Sequence, residues 1–214
     1  MKKFRYCFMA VSILALMSVS PAAANNAERF FAEAENFYIA QDFFAAHDRL
    51  TAAAKLGHAG AQFHLGIMYR EGRGVTIDYP QAAHWFRLAA GQGHAGAQNN
   101  LGFMYAYGIG VPVDYVQAAY LLRPAAEYGI MQAQSELGFM YFSGRGVTED
   151  FYQAAHWLHL AAKQGSERAQ HAVGLMYVYG IGVAEDNEQA VYWLRRAADQ
   201  GNEGAKEALA DLTQ

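Results

Sequence analysis

The sequence predicts an all-α protein, a solenoid of antiparallel helix pairs, and three observations lead to this fold class. Similar residues recur every 36 positions along most of the chain. Small and apolar residues within each unit follow helical spacing. Glycine and aspartate at fixed offsets divide each unit into two helices. One column of the repeat is glycine: Gly66, Gly102, Gly138 and Gly174. A period between about 20 and 50 residues indicates stacked supersecondary units.

The first helix of each unit is called helix A. In the first full unit, small and apolar residues from Ala61 to Tyr69 fall at i, i+4, i+7 and i+8, which is one face of a helix. The spacing predicts a helix over Ala61–Glu71. Gly72 and Gly74 follow it, and glycines in left-handed conformations commonly end helices.

The second helix, helix B, is predicted to begin at Asp78 and to end at Gly93. The Asp78 carboxylate can accept from free amides of the first turn, and Gln81 can reach back to the Asp78 amide. The same D-x-x-Q spacing starts the other units, at Asp114, Asp150 and Asp186.

The glycine column inside helix A is unfavourable for an isolated helix, since each glycine costs about 1 kcal/mol relative to alanine. We therefore expect the bare backbone to admit a closely packed neighbouring helix. The expected partner is the alanine pair near the end of helix B, Ala89–Ala90 in the first full unit.

The first residues have the three parts of a secretory signal peptide. A basic start that includes Lys2 and Arg5 precedes an apolar run, Tyr6–Val19, and a small-residue site that ends at Ala24. The run is shorter than the roughly 20 residues that span a bilayer. We therefore expect cleavage after Ala24 and export, to the periplasm or, alternatively, into the medium.

The rest of the chain divides by the repeat. Residues 25–58 are predicted to form an imperfect first helix pair, 59–201 four repeats of 36 residues, and 202–214 a capping helix. No segment after the signal is predicted to cross a membrane.

Composition narrows the possible function classes. The formal net charge is −4, and loss of the basic start would make it more negative. An acidic chain without a basic block is a poor nucleic-acid binder, so no such partner is expected. Cys7 is the only cysteine and would leave with the signal, so the exported chain would have no disulfide.

The repeat consensus resembles a known family. The order A-x-x-x-L-G-x-M-Y, G-x-G-V, D-x-x-Q-A, W or L, A-A and G, which covers Ala61–Gly201, resembles the Sel-like repeat, a branch of the tetratricopeptide-repeat superfamily. The resemblance implies a right-handed superhelix with a concave groove and a role as an adaptor or scaffold in the cell envelope. Cysteine-rich exported members carry a disulfide in each unit and this chain does not, so their activities are not carried over.

Motifs that would indicate catalysis or a cofactor are few. G-x-G-V could be a phosphate-binding loop, but no strand precedes it and it recurs as the turn between helices. His156 and His159 could share a helix face, yet the histidines follow the repeat and no H-E-x-x-H occurs. G-x-S-x-G and S-x-x-K are absent from the sequence. The chain is therefore predicted to be no enzyme, with no catalytic residue, cofactor or metal.

An alternative function is a cell-wall glycan-binding protein or an envelope hydrolase. Either would need acids or histidines together in the groove, where Glu136 and His171 are the scattered candidates.

Candidate partner-binding residues lie on helix A at columns that do not repeat. Packing fixes the columns that stay alike, so the varying ones are free for recognition, unless they are merely solvated. The resemblance places helix A on the concave side, which predicts a groove for other proteins or peptides. Its predicted residues are Phe63, His64, Arg70, Asn99, Asn100, Tyr107, Ser135, Glu136, Phe142, His171 and Tyr179.

Overall fold

A computed structural model describes residues 20–212, and this part of the chain holds eleven helices and no strand. Residues 1–19 of the predicted signal peptide lie outside the described residues. The helices are α1 (Pro21–Ile39), α2 (Phe43–Lys55), α3 (Ala59–Glu71), α4 (Tyr79–Gly91), α5 (Ala95–Tyr107), α6 (Tyr115–Glu127), α7 (Met131–Ser143), α8 (Phe151–Lys163), α9 (Glu167–Tyr179), α10 (Asn187–Asp199) and α11 (Glu203–Leu212).

Each helix packs mainly on the helices that precede and follow it in the chain. Odd-numbered helices are the helix A elements and even-numbered helices the helix B elements. Successive helix A elements also touch, as α3 and α5 do. The core between the layers is rich in alanine, with Ala53, Ala89 and Ala125 fully buried at one column. The predicted all-α solenoid is confirmed.

The predicted helix ends are confirmed in one part and wrong in another. Gly72 ends α3 with φ +71°, and Asp78 accepts a hydrogen bond from the Gln81 amide at 2.9 Å. The Asp78 amide, however, donates to the Tyr69 carbonyl at 2.9 Å rather than to the Gln81 side chain. The other three units repeat this bond at Asp114, Asp150 and Asp186. The loop between helix A and helix B is therefore held by a backbone hydrogen bond to helix A of the same unit.

The glycine column does admit a close neighbour, but the expected alanine pair is not that neighbour. A Cβ on Gly102 would lie 2.7 Å from Cγ of Leu122 in α6, a contact that real Cβ atoms do not make. Phe86, Leu158 and Leu194 occupy the same position in the other units. The missing side chain makes room for one large residue of helix B.

The second glycine of each G-x-G-V turn packs on the preceding unit. A Cβ on Gly146 would overlap the backbone carbonyl of Tyr115, the first residue of α6. Gly182 makes the same approach to Phe151. These glycines also have φ near +70°, which only glycine adopts without strain. The motif is thus explained by packing between units, and the alternative of a phosphate loop is not needed.

Candidate functional site

The surface of the helix A layer contains cavities between successive helices, and we call this surface the helix-A groove. One cavity of about 590 Å³ is lined by residues of α3, α5 and α7, by Tyr79 at the start of α4 and by the loop residue Ile109. A second, of about 440 Å³, lies between α7 and α9. A third, of about 460 Å³, is formed by α1, Leu50 and His64. The eleven predicted residues fall on this layer, but the structure gives them different roles.

Two of the predicted residues, Phe63 and His171, pack against the next unit. The Phe63 ring stacks on His94 with centroids 4.4 Å apart and lies against Gly96. His171 lies in the same way against Gly204, where a Cβ would be 2.9 Å from Cε1 of the imidazole. Both side chains therefore have a packing role between units, and both remain half-buried at the groove surface.

Phe63 and His171 belong to one column of the repeat, and the residues of this column vary together with those of a second column. Where the column holds a ring, as at Phe63, the second residue of the next helix A is glycine, here Gly96. Where it holds Asn99 or Ser135, that second residue is the longer Gln132 or Arg168. The ring fills the space that the glycine leaves between successive helices, whereas Asn99 and Gln132 both line the cavity between α3 and α7.

His64 belongs to an aromatic cluster at the first cavity. Its ring centroid lies 5.7 Å from that of Phe31, 5.5 Å from Phe63 and 6.2 Å from Tyr38. Burial lowers the pKa of His64, because the surrounding rings disfavour the charged imidazolium. The cluster keeps His64 neutral near pH 7, so it offers a partner an uncharged ring.

Several of the predicted polar residues lie at or near the cavity between α3 and α7. Arg70 donates to Oδ1 of Asn100, and Asn100 donates to the Gly96 carbonyl at 2.7 Å. Oδ1 of Asn99 is buried and has no hydrogen-bond partner. Ser135 is only 9 % exposed, so it contributes little surface to a partner.

Glu136 links α5 and α9 through one hydrogen bond and one ion pair. Its carboxylate accepts from the Tyr107 hydroxyl at 3.0 Å and lies 3.6 Å from the Arg168 guanidinium. Burial raises the pKa of Tyr107, and the charge of Glu136 adds to the rise. Glu136 thus holds Tyr107 and Arg168 in place.

Arg168 was missed from the sequence. Its guanidinium lies 3.8 Å from the centroid of the Phe139 ring, a cation–π distance, and 63 % of its side chain is exposed. The available signal was its column, which reads Gly60, Gly96, Gln132 and Arg168. This column varies as strongly as the helix A columns from which the groove residues are predicted.

The cavity between α7 and α9 is the most apolar of the three. Its wall includes Phe139, Phe142, Leu175, Met176 and Tyr179, and Arg168 and His171 are its polar members. Phe142 is 39 % exposed and Tyr179 64 % exposed, so these two predicted residues can reach a partner. No carboxylate lines this cavity, which gives the glycan-hydrolase alternative no acid there.

Within residues 20–212, no three His, Cys, Asp or Glu residues come close enough together to hold a metal ion. None of the described helices has the length and apolar character needed to span a bilayer.

Comparisons with known proteins identify the family of the repeat. A family model described as Sel1 repeat matches residues 59–94, 95–129, 132–166 and 167–202. No curated protein matches the chain in sequence.

Solved structures are similar over most of the chain. A protective antigen of uropathogenic Escherichia coli strains that displays an SLR fold is 35 % identical, with a TM-score of 0.79 over 91 % of this chain and 43 % of that one. A Sel1 repeat protein from Oxalobacter formigenes is 42 % identical, with a TM-score of 0.70 over 79 % of this chain and 50 % of that one. A putative Sel1 repeat protein from Klebsiella pneumoniae shares the fold at 21 % identity, with a TM-score of 0.51 over 92 % of this chain and 99 % of that one. The chain therefore spans half or less of the length of the first two.

Proposed function

The chain belongs to the Sel1 repeat family, and from this premise we propose that it is an adaptor of the cell envelope that binds a peptide or a loop of another protein in the helix-A groove. Sel1 repeat proteins generally mediate protein–protein interactions, and their scaffold is generally non-catalytic. The finer assignment, to this groove and to the envelope, is our proposal.

The observation that carries the proposal is the apolar cavity between α7 and α9. A volume of about 440 Å³ has room for one or two large side chains, and its wall is almost wholly apolar. Phe142 and Tyr179 remain exposed beside it, which is unfavourable in water unless a partner covers them. Arg168 and the Tyr107–Glu136 pair supply polar groups at the rim, where a bound chain's amides would lie.

A peptide-binding experiment tests the groove. Peptides selected from a random library on the purified protein are titrated against Phe142→Ala with Tyr179→Ala, and separately against His84→Ala with His156→Ala. The second pair removes exposed rings of helix B and is the matched control. We expect the groove pair to weaken binding fivefold or more, because truncating a central contact commonly costs about 1 kcal/mol or more.

The control pair is expected to bind like the unchanged protein. Equal weakening by both pairs, or by the control alone, would place the binding surface outside the groove. Melting curves of all three proteins separate a binding effect from unfolding.

We further propose that the protein is exported, most readily to the periplasm. The support is the sequence of the first 24 residues, and export agrees with the description of the 35 %-identical relative as a protective antigen. The intact mass of protein from the envelope fraction tests this. A chain that begins at Asn25 is expected, and a mass that includes Met1–Ala24 would contradict export by cleavage.

A further inference from the structure

One edge of the solenoid carries exposed aliphatic and aromatic residues. This edge is formed by the loops between helix A and helix B. Its exposed residues include Ile77 at 57 %, Val113 at 53 %, Val116 at 64 % and Tyr152 at 78 % exposure. With Ile109 at 39 % and Tyr115 at 38 %, we call these six residues the edge patch.

The loops that carry the patch are adjacent. Gly110 packs against the backbone of Tyr79, the residue two positions after Ile77, and Gly146 packs against the backbone of Tyr115. The Arg145 guanidinium lies 5.7 Å from the centroid of the Tyr115 ring. The α5–α6 loop is therefore in contact with the loop on either side, and the patch is continuous.

The size of the patch is that of an interface. A large side chain offers about 150–250 Å², so six residues that are roughly half exposed present on the order of 600–700 Å². The largest apolar patch of a typical monomer is about 300–600 Å², and a standard interface buries about 800 Å² per partner.

The fold does not require apolar residues here. Ile77, Val113, Glu149 and Glu185 share one column, and all four pack on the glycine that ends helix A of their unit. The glutamates do so with their Cβ and Cγ atoms. Because the last two units tolerate a charge at this position, the apolar choice in the first two has a cause other than folding.

Charged residues flank the patch at both ends. At the α3–α4 end, Arg70 and Arg73 surround a single carboxylate, that of Glu71. At the α7–α8 end, Glu149 is exposed in the same loop as Arg145, whose guanidinium lies over the Tyr115 ring. The central α5–α6 loop carries only Asp114, whose side chain caps α6.

We propose that the edge patch joins two copies of this chain about a two-fold axis that passes through the α5–α6 loops. An isologous contact places the same surface of each copy against the other, so apolar meets apolar at the centre. The antiparallel arrangement also brings Arg73 of each copy near Glu149 of its partner. The contact borders the helix-A groove, because Ile109 belongs to the edge patch and also lines the cavity between α3 and α7.

Analytical ultracentrifugation of the purified protein tests the contact. We expect a dimer that dissociates on dilution, and a dissociation constant raised by about 100-fold or more in Val113→Glu with Val116→Glu. Both changes introduce residues that this repeat already carries, since Glu149 and Glu188 occupy the same columns. The variant should therefore keep its fold, which its melting curve checks.

The matched control is Tyr128→Gln. Tyr128 is 80 % exposed but lies at the opposite edge, and glutamine is the residue of its column at 92, 164 and 200. The control should dimerise like the unchanged protein. A monomer at all concentrations up to about 100 μM, or a dimer that the two glutamates leave intact, would overturn the proposal.

A charge exchange tests the antiparallel arrangement. Arg73→Glu and Glu149→Arg are each expected to weaken the dimer, and the two together to restore it, because the pair meets across the axis. Restoration supports the arrangement, and a double variant that is weaker than either single variant overturns it.

Discussion

The Gln164 side chain donates a hydrogen bond of 2.7 Å to Oε1 of Gln134. Gln134 in turn donates to the Ala126 carbonyl at 3.0 Å, and only 4 % of Gln134 is exposed. Two side chains thus connect α6, α7 and α8. Gln62 with Gln92, and Gln170 with Gln200, form the same connection in other units. A buried amide whose donor and acceptor are both used fixes how successive units dock.

One unit lacks this connection, which leads to a stabilising prediction. Gln98 occupies the buried column, but Tyr128 stands where the other units have the donating glutamine, and the Gln98 bond to the Ala90 carbonyl is long at 3.5 Å. We expect Tyr128→Gln to raise the free energy of unfolding by about 0.5–1.5 kcal/mol, the usual worth of one hydrogen bond. Urea unfolding measures it.

Removal of the buried glutamine from a unit that has the connection is the counterpart of this substitution. Gln134→Leu should lower the free energy of unfolding by about 1–3 kcal/mol, since it leaves the Ala126 carbonyl and the Gln164 amide without this partner. If both substitutions stabilise the protein, the hydrogen bonds contribute nothing and apolar packing alone governs these positions.

The helix-interior glycine Gly138 is predicted to resist substitution by alanine. Alanine gains about 1 kcal/mol of helix propensity, but its Cβ would lie 2.7 Å from Cγ of Leu158. Overpacking of this kind costs about 1–3 kcal/mol, so Gly138→Ala should be destabilising.

Gly91 provides a control within the same protein. It is the last residue of α4, and a Cβ added there has nothing within 4 Å. Gly91→Ala is expected to be neutral or to stabilise by up to about 1 kcal/mol. Thermal melts of the two variants should move in opposite directions, and a stabilised Gly138→Ala would show that the contact with Leu158 relaxes without cost.

Stability should fall in mild acid because histidines cap helices. Nδ1 of His94 accepts from the Ala97 amide at 3.2 Å, which it can do only while unprotonated, and burial lowers the pKa of His94. The unfolded chain binds the proton first, at a pKa of about 6.5. The stabilisation is therefore present above that pH and is lost as pH falls through the lower pKa of the folded state.

His94→Ser should reduce this dependence. Ser166 occupies the same column and caps α9 by accepting from the Ala169 amide at 3.3 Å, so serine keeps a cap that acid does not remove. We expect a smaller loss of unfolding free energy between about pH 7.5 and pH 5 than in the unchanged protein. His64, half-buried beside the Phe63 ring that stacks on His94, also has a lowered pKa and keeps part of the pH dependence. An unchanged dependence would remove His94 as a source.

The 36-residue period is sufficient to predict the fold, because residues that every unit needs for packing recur in phase. Gly138 and Asp150 were assigned to their helix interior and helix start in this way. The partner of the glycine column was not predictable, since the sequence does not say which helix B residue faces it. The buried Gln134 column was overlooked because a polar residue in a helix is usually exposed.

The candidate site was harder to predict than the fold. Variation at the column of Phe63 predicts a position free for recognition, yet in the structure the Phe63 ring lies against Gly96, a residue of a second varying column. Such pairs connect different units, and only contacts between units reveal them. Phe142 and Tyr179, which do remain exposed, were identified from the same variation.

The pairing of Phe63 with Gly96 predicts which repeat unit can be deleted without loss of packing. In a solenoid each unit contacts only its neighbours, so removal of one full period keeps the register. Deletion of Gly102–Leu137 joins Leu101 to Gly138 within one helix. Asn99 then takes the column of Ser135 in front of Arg168, so the ring–glycine pair of Phe63 and Gly96 is kept. We expect a folded, cooperative protein.

Deletion of Gly66–Leu101 removes the same number of residues but breaks the matching. Phe63 would then face Gln132 in place of Gly96, and its ring lies where that side chain must go. We expect this protein to melt at a lower temperature than the first deletion, and a further Gln132→Gly change to recover part of the loss. Circular dichroism melts of the three proteins make the comparison. If the two deletions melt alike, units dock without regard to the ring–glycine pair, and the packing role of Phe63 is wrong.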